Sequence, residues 1–132
     1  MSLIDQALSF IGNRMNNTKV WCVDFGRDEH WYWKKWSDGT CDLWYHNVHA
    51  VSPYDSHPVF GGMYQFYEDL SFPFNLVDTE YCVTHSWMIG TSHTIPSTNL
   101  TRTQSSVRIY ALTAINGAAT GRINAHIFGR WK

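Results

Sequence analysis

Four of the chain's seven tryptophans fall between residues 31 and 44, and their spacing reads as one local structure. In Trp31-Tyr32-Trp33-Lys34-Lys35-Trp36, a period of two puts Trp31, Trp33 and Lys35 on one face of an extended strand. Tyr32, Lys34 and Trp36 take the other. Ser37-Asp38-Gly39-Thr40 then supplies a tight turn, with Asp-Gly offering the positive-φ positions such a turn needs. The returning strand alternates Cys41, Leu43 and Tyr45 against Asp42, Trp44 and His46. This is an aromatic β-hairpin. Each ring can bury roughly 150–250 Å², so the aromatic load belongs in a core, a subunit interface or a ligand surface. The spacing leaves those three destinations open.

The run from Trp31 to Trp44 resembles the "W-x-Y-R-K-W-x-x-G-x-x-E-C-W" segment of the C-terminal domains of minor structural and tail proteins. Those domains occur in phages and prophages of low-GC Gram-positive bacteria. The ending, Gly121 to Lys132, is similar to the close of such domains, an alternating strand finishing in Gly129-Arg130-Trp131-Lys132. Between them, Tyr67-Glu68-Asp69-Leu70-Ser71-Phe72-Pro73-Phe74 resembles the aromatic "S-x-x-F-P-x-F" middle. The resemblance spans about residues 20 to 132. It implies a fibre or baseplate component of a virion tail, made in the cytoplasm of the bacterial host, with other tail proteins as partners.

A chain of 132 residues suits one domain with a sizeable core. Aromatic residues make up 16% and charged residues 16%, a composition typical of β-rich proteins that adhere to another subunit or a sugar. A net charge of -1 leaves no basic footprint for nucleic acid. No run of 18 apolar residues suggests membrane insertion. Cys22, Cys41 and Cys82 are odd in number and lack metal or redox spacing, so buried free thiols are expected, with a Cys22–Cys41 bridge as the alternative.

Residues 2–15 read as the one helix, with Ile4, Leu8, Ile11 and Met15 as its apolar stripe. Residues 1–18 are thus expected to be an N-terminal helix, a stalk remnant, ahead of a domain over 19–132. The strands expected are Lys19–Phe25, the Trp hairpin, Val59–Glu68 with a bulge or bend at Gly61-Gly62, Ser71–Leu76, Glu80–Ile89, Thr91–Ile95, Ser105–Thr113 and Arg122–Trp131. A polar loop is expected over His46–Pro58. Short strands between Gly, Pro, Asn and Ser clusters imply a mainly β fold, an antiparallel β-sandwich with a short N-terminal helix. The helix stripe offers the seam of a homotrimer.

No nucleophile motif, phosphate loop or paired carboxylate stands out, so the chain reads as non-enzymatic and needs no cofactor. His46, His49 and His57 could in principle meet at a metal, but an i, i+3 pair on a strand or loop points to different faces, so no metal is expected. His126 could approach a three-fold axis. Glu68-Asp69 is the best available acid, although a turn-forming pair is the simpler reading. What remains is sugar binding, in which aromatic rings stack on pyranose C–H faces and neighbouring polar groups fix the hydroxyls. Tyr54, Trp33, Trp36 and Trp44 are the candidate glycan-binding residues, with Tyr54 the most exposed. The function expected is a tail-fibre or baseplate tip attaching to host cell-wall glycan. A small peptidoglycan-directed lytic enzyme and a stand-alone carbohydrate-binding module are the alternatives. If the helix is the seam, Leu8→Asp should dissociate the assembly and leave the β domain folded; a wild-type monomer by light scattering at micromolar concentration would contradict it.

Overall fold

The computed structural model describes residues 2–7 and 19–132. Strands β1 (Cys22–Arg27), β2 (Trp31–Trp36), β3 (Thr40–Val51) and β4 (Tyr64–Ser71) are followed by β5 (Cys82–Ile89), β6 (Thr94–Arg102), β7 (Ser106–Thr113) and β8 (Ala119–Arg130). They form two antiparallel sheets, one of five strands in the order β1-β2-β3-β8-β5 and one of three in the order β4-β7-β6. The chain is the mainly β antiparallel sandwich expected. Residues 3–7 are helical, opened by Ser2, whose hydroxyl oxygen accepts the Asp5 backbone N–H at 3.1 Å. Ile4 is exposed there, while Leu8, Ile11 and Met15 lie outside the described residues.

Alternation builds the core. Trp31, Cys41, Leu43, Tyr45, Ile123 and Ile127 point inward from the large sheet onto Phe66, Leu70, Val107 and Ile109 of the small one. The hairpin turn is closed by the Gly39 N–H on the Trp36 carbonyl at 3.1 Å, and Gly39 alone carries its positive φ, +91°. Asp38 does not. Its carboxylate instead accepts the Thr40 N–H and hydroxyl, which holds its pKa below the usual carboxylate value. The chain's end locks onto this turn: Trp131 N–H donates to the Gly39 carbonyl and its indole N–H to the Trp36 carbonyl.

Several boundaries differ from the sequence reading. β3 runs on to Val51, because His46–Val51 continues the ladder with β8 where a polar loop was expected. Gly61 and Gly62, both at positive φ, make a turn between Phe60 and Met63, so β4 starts only at Tyr64. Ser71–Leu76 is not a strand. Pro73 has no N–H to give a ladder, and the N–H groups of Phe72 and Leu76 go to the carbonyls of Ser105 and Gln104 in the β6–β7 turn. Phe72, Phe74 and Leu76 thereby plug one end of the sandwich, Phe72 edge-on to Trp31 and Tyr81. Thr91–Ser92 is a turn, and β6 runs from Thr94 to Arg102, well past the expected Ile95. The Glu68-Asp69 pair is mid-strand, not a turn. All three cysteines are free: Cys41 is buried, its thiol pushed up to about 11 by burial, while Cys22 and Cys82 are exposed.

Polar ties join the two sheets. Glu68 on β4 meets the Tyr45 hydroxyl at 3.3 Å and His49 Nε2 at 3.0 Å. The Tyr81 hydroxyl donates to carbonyls of Thr103 and Ser106. His85 Nε2–H donates to the Ser97 carbonyl at 3.0 Å, while its Nδ1 accepts the Trp87 indole N–H at 2.8 Å. Those two bonds fix a neutral imidazole, and burial lowers its pKa from the ordinary 6.5. A depressed histidine pKa contributes stability that is full above the unfolded value and falls as pH drops through it. The melting temperature should therefore decline as pH falls below about 6.5, and His85→Gln should flatten that decline. An undiminished slope in the variant would remove His85 as its cause. At the edge of the large sheet, a Cβ on Gly26 would run into the Trp33 indole. Gly26→Ala should cost about 1–3 kcal/mol in a urea titration, as overpacking does.

Candidate functional site

The outward faces of the two sheets carry the remaining aromatics. On the large sheet, Tyr32, Trp44, His126 and Thr84 stand directly opposite one another across β2, β3, β8 and β5. The Trp44 ring lies between two neighbours, with His126 at 5.3 Å and 11° on one side and Tyr32 at 5.2 Å and 29° on the other. Both faces of Trp44 are covered, so it offers solvent an edge. Tyr32 and His126 end the row.

Asp42, one pair of residues along, organises this row. Its side chain is 16% exposed, and its two oxygens accept the His126 Nε2–H and the Trp36 indole N–H, each at 2.6 Å. Lys34 sits over the rings of Tyr32 and Trp36. In the other direction, His46 Nδ1 meets Asn124 Oδ1 at 2.7 Å, and Ser86 stands opposite Asn124. A groove of about 750 Å³ crosses these two rows from the Arg27–His30 turn to Thr84 and Ser86. Asp28 holds that turn by accepting the N–H groups of His30 and Trp31. The groove thus combines ring faces and edges with hydroxyl, amide and imidazole groups, which can contact both the apolar and the polar surfaces of a saccharide.

The four sequence candidates do not form one site. Trp36 and Trp44 share the outer face of the large sheet. Trp33 points inward, packed against Phe74 and the core. Tyr54 is exposed, as expected, but belongs to the other sheet, where its N–H donates to the Gln65 carbonyl at 2.8 Å. There it lines a second, polar groove of about 410 Å³ that crosses the outer face of β4, β7 and β6. Tyr32 was visible in the hairpin register as the neighbour of Trp44. His46, Asn124, Thr84 and Ser86 were missed, because their place beside Trp44 depends on how β8 and β5 pair with β3. Among the described residues no three His, Cys, Asp or Glu side chains are grouped to hold a metal. His46 and His49 face opposite sides of β3, and His57 pairs locally with Asp55. His126 is held by Asp42 and Trp44.

No protein-family model matches the chain, and no curated protein matches it. A solved structure does: the chain is similar to an N-truncated R1-type pyocin tail fibre, with a TM-score of 0.52 and 14% identity. The match covers 89% of this chain and 94% of that one. The likeness is one of fold.

Proposed function

We propose that this chain is a tail-fibre or baseplate domain of a phage of Gram-positive bacteria, or of a related prophage, which holds host cell-wall glycan in the outer groove of its large sheet without turning it over. The observation that carries the reading is the Tyr32–Trp44–His126 row, fixed by Asp42 and bordered by His46, Asn124, Thr84 and Ser86, on a tail-fibre fold. The groove volume suits one or a few sugar units. The non-catalytic reading is supported by the carboxylates at and beside the groove: Asp28 and Asp42 are engaged in holding neighbouring groups, and Glu29 is largely exposed, 3.9 Å from His30 Nε2.

We also propose a homotrimer, with the stripe Ile4, Leu8, Ile11 and Met15 as its seam. It is supported by β1, an edge strand whose neighbourhood leaves Val20, Trp21, Val23 and Phe25 exposed. An uncovered apolar edge is a surface that proteins ordinarily pair or bury. Binding per site would be weak, millimolar to micromolar, or roughly 4–8 kcal/mol. Copies on one fibre would raise it by effective concentration.

Co-sedimentation with purified Gram-positive cell walls tests the glycan reading. Ser86→Arg, which fills the groove without touching the ring row, should reduce binding at least tenfold with an unchanged melting temperature, and Trp44→Ala should reduce it with some loss of stability. Wild-type protein that fails to sediment with any wall preparation would refute attachment. Sugar release by the purified domain would instead identify the lytic enzyme.

A further inference from the structure

The small sheet carries a site of its own. We infer that the groove between Tyr54 and the β6 bulge is a second saccharide subsite, on the opposite side of the sandwich from the first, and that it takes an uncharged pyranose.

Its geometry starts at Pro96. In the pairing of β6 with β7, Pro96 lies opposite Ala111 and Leu100 opposite Ile109, so four steps of β6 span two of β7. Proline gives no ladder N–H, and the surplus residues bulge out. The bulge is braced: the Ser97 carbonyl accepts the His85 imidazole N–H from the other sheet, and the Ser97 hydroxyl oxygen accepts the Asn99 N–H at 3.1 Å. Asn99 is thereby brought to the rim of the groove beside Thr101, facing Tyr54 and Gln65 across β7.

The floor is Arg108 and Tyr110. Arg108 makes a two-pronged pair with Asp69, Nε to Oδ1 at 2.7 Å and Nη2 to Oδ2 at 2.9 Å, and its guanidinium lies 4.2 Å over the Tyr67 ring. The Tyr110 hydroxyl is within 3.4 Å of Thr101 Oγ1. Tyr54 meets Tyr67 edge to face at 5.4 Å, so the aromatic wall is continuous with the floor. Among the described residues Arg108 is the one charged residue lining the groove, and Asp69 already balances it. A free anion would have to compete with that carboxylate, whereas a neutral sugar can use the groove as it stands. Its hydroxyls can both donate and accept, which suits amide, phenol and hydroxyl groups side by side. Tyrosine rings supply the apolar contact for the pyranose C–H face.

The test is an amide-resolved NMR titration of the whole chain with methyl glycosides of glucose, galactose, mannose, rhamnose and N-acetylglucosamine, and with glucuronic acid as the charged comparison. At least one neutral glycoside should give saturable shifts at Gln65, Asn99, Thr101 and Tyr110, and these should persist in Ser86→Arg. Asn99→Ala and Tyr110→Phe should each weaken them at least fivefold without moving the shifts at Ser86 and Asn124. No saturable shift at this groove with any neutral glycoside up to about 100 mM, or a response to glucuronic acid alone, overturns the inference. Shifts confined to the large-sheet groove would also overturn it while leaving the proposed attachment site in place.

Discussion

The twelve-residue ladder between β3 and β8, running from Thr40 opposite Arg130 to Val51 opposite Ala119, is the element on which the other pairings depend. The N-terminal hairpin reaches the rest of the large sheet only through β3, and β5 joins it only through β8. The register of this one pairing decides which side chains face the core. A slip of one residue between them would put the inward set of one strand on the face opposite that of the other, so that with Leu43 and Tyr45 kept inside, Ile123 and Ile127 would turn outward and Asn124 and His126 would come in. The core tolerates one arrangement, and burial of the inner set holds it there.

That register also makes the outer surface. Cross-strand neighbours on one face of an antiparallel pair lie within contact distance, so Tyr32, Trp44 and His126 stack because the ladders align them. Glycine on the inward side has a matching role. Gly121 and Gly129 alternate with Ile123 and Ile127 on β8, and Cβ atoms there would press on Val51 and on Tyr81 and Leu76 respectively. Large residues in the middle of β8 fill the sandwich, and glycines near its ends admit the side chains that close it.

Local patterns were legible in the chain where both partners are close in sequence. The hairpin faces and the Gly39 turn followed from period-two alternation and turn chemistry. The same alternation misled at Phe72, Phe74 and Leu76. There the side chains do enter the core, but Pro73 and the β6–β7 turn take the backbone out of any ladder. The candidate site was half visible. Trp36, Trp44 and the exposed Tyr54 could be picked out as aromatics, yet the inward turn of Trp33 and the splitting of the others between two sheets depend on pairings across about eighty residues. The β6 bulge was hidden too, because Pro96 marks a weak point in a strand without saying which way the excess residues go.

The β3–β8 ladder has a consequence for how the chain is made. Synthesis delivers β3 long before β8, with residues 52–118 between them. A hairpin formed before the second strand emerges would hold a twelve-residue edge open and its inner face uncovered. Loop-closure entropy has to be overcome before this long-range pairing returns any stabilisation, so assembly of the large sheet is slow by topology. An open strand edge in that interval is a template for neighbouring chains on the same message. Lys34 and Lys35 on β2, and Asp42, His46 and His49 on β3, are the charged and polar side chains such a hairpin would carry against that pairing.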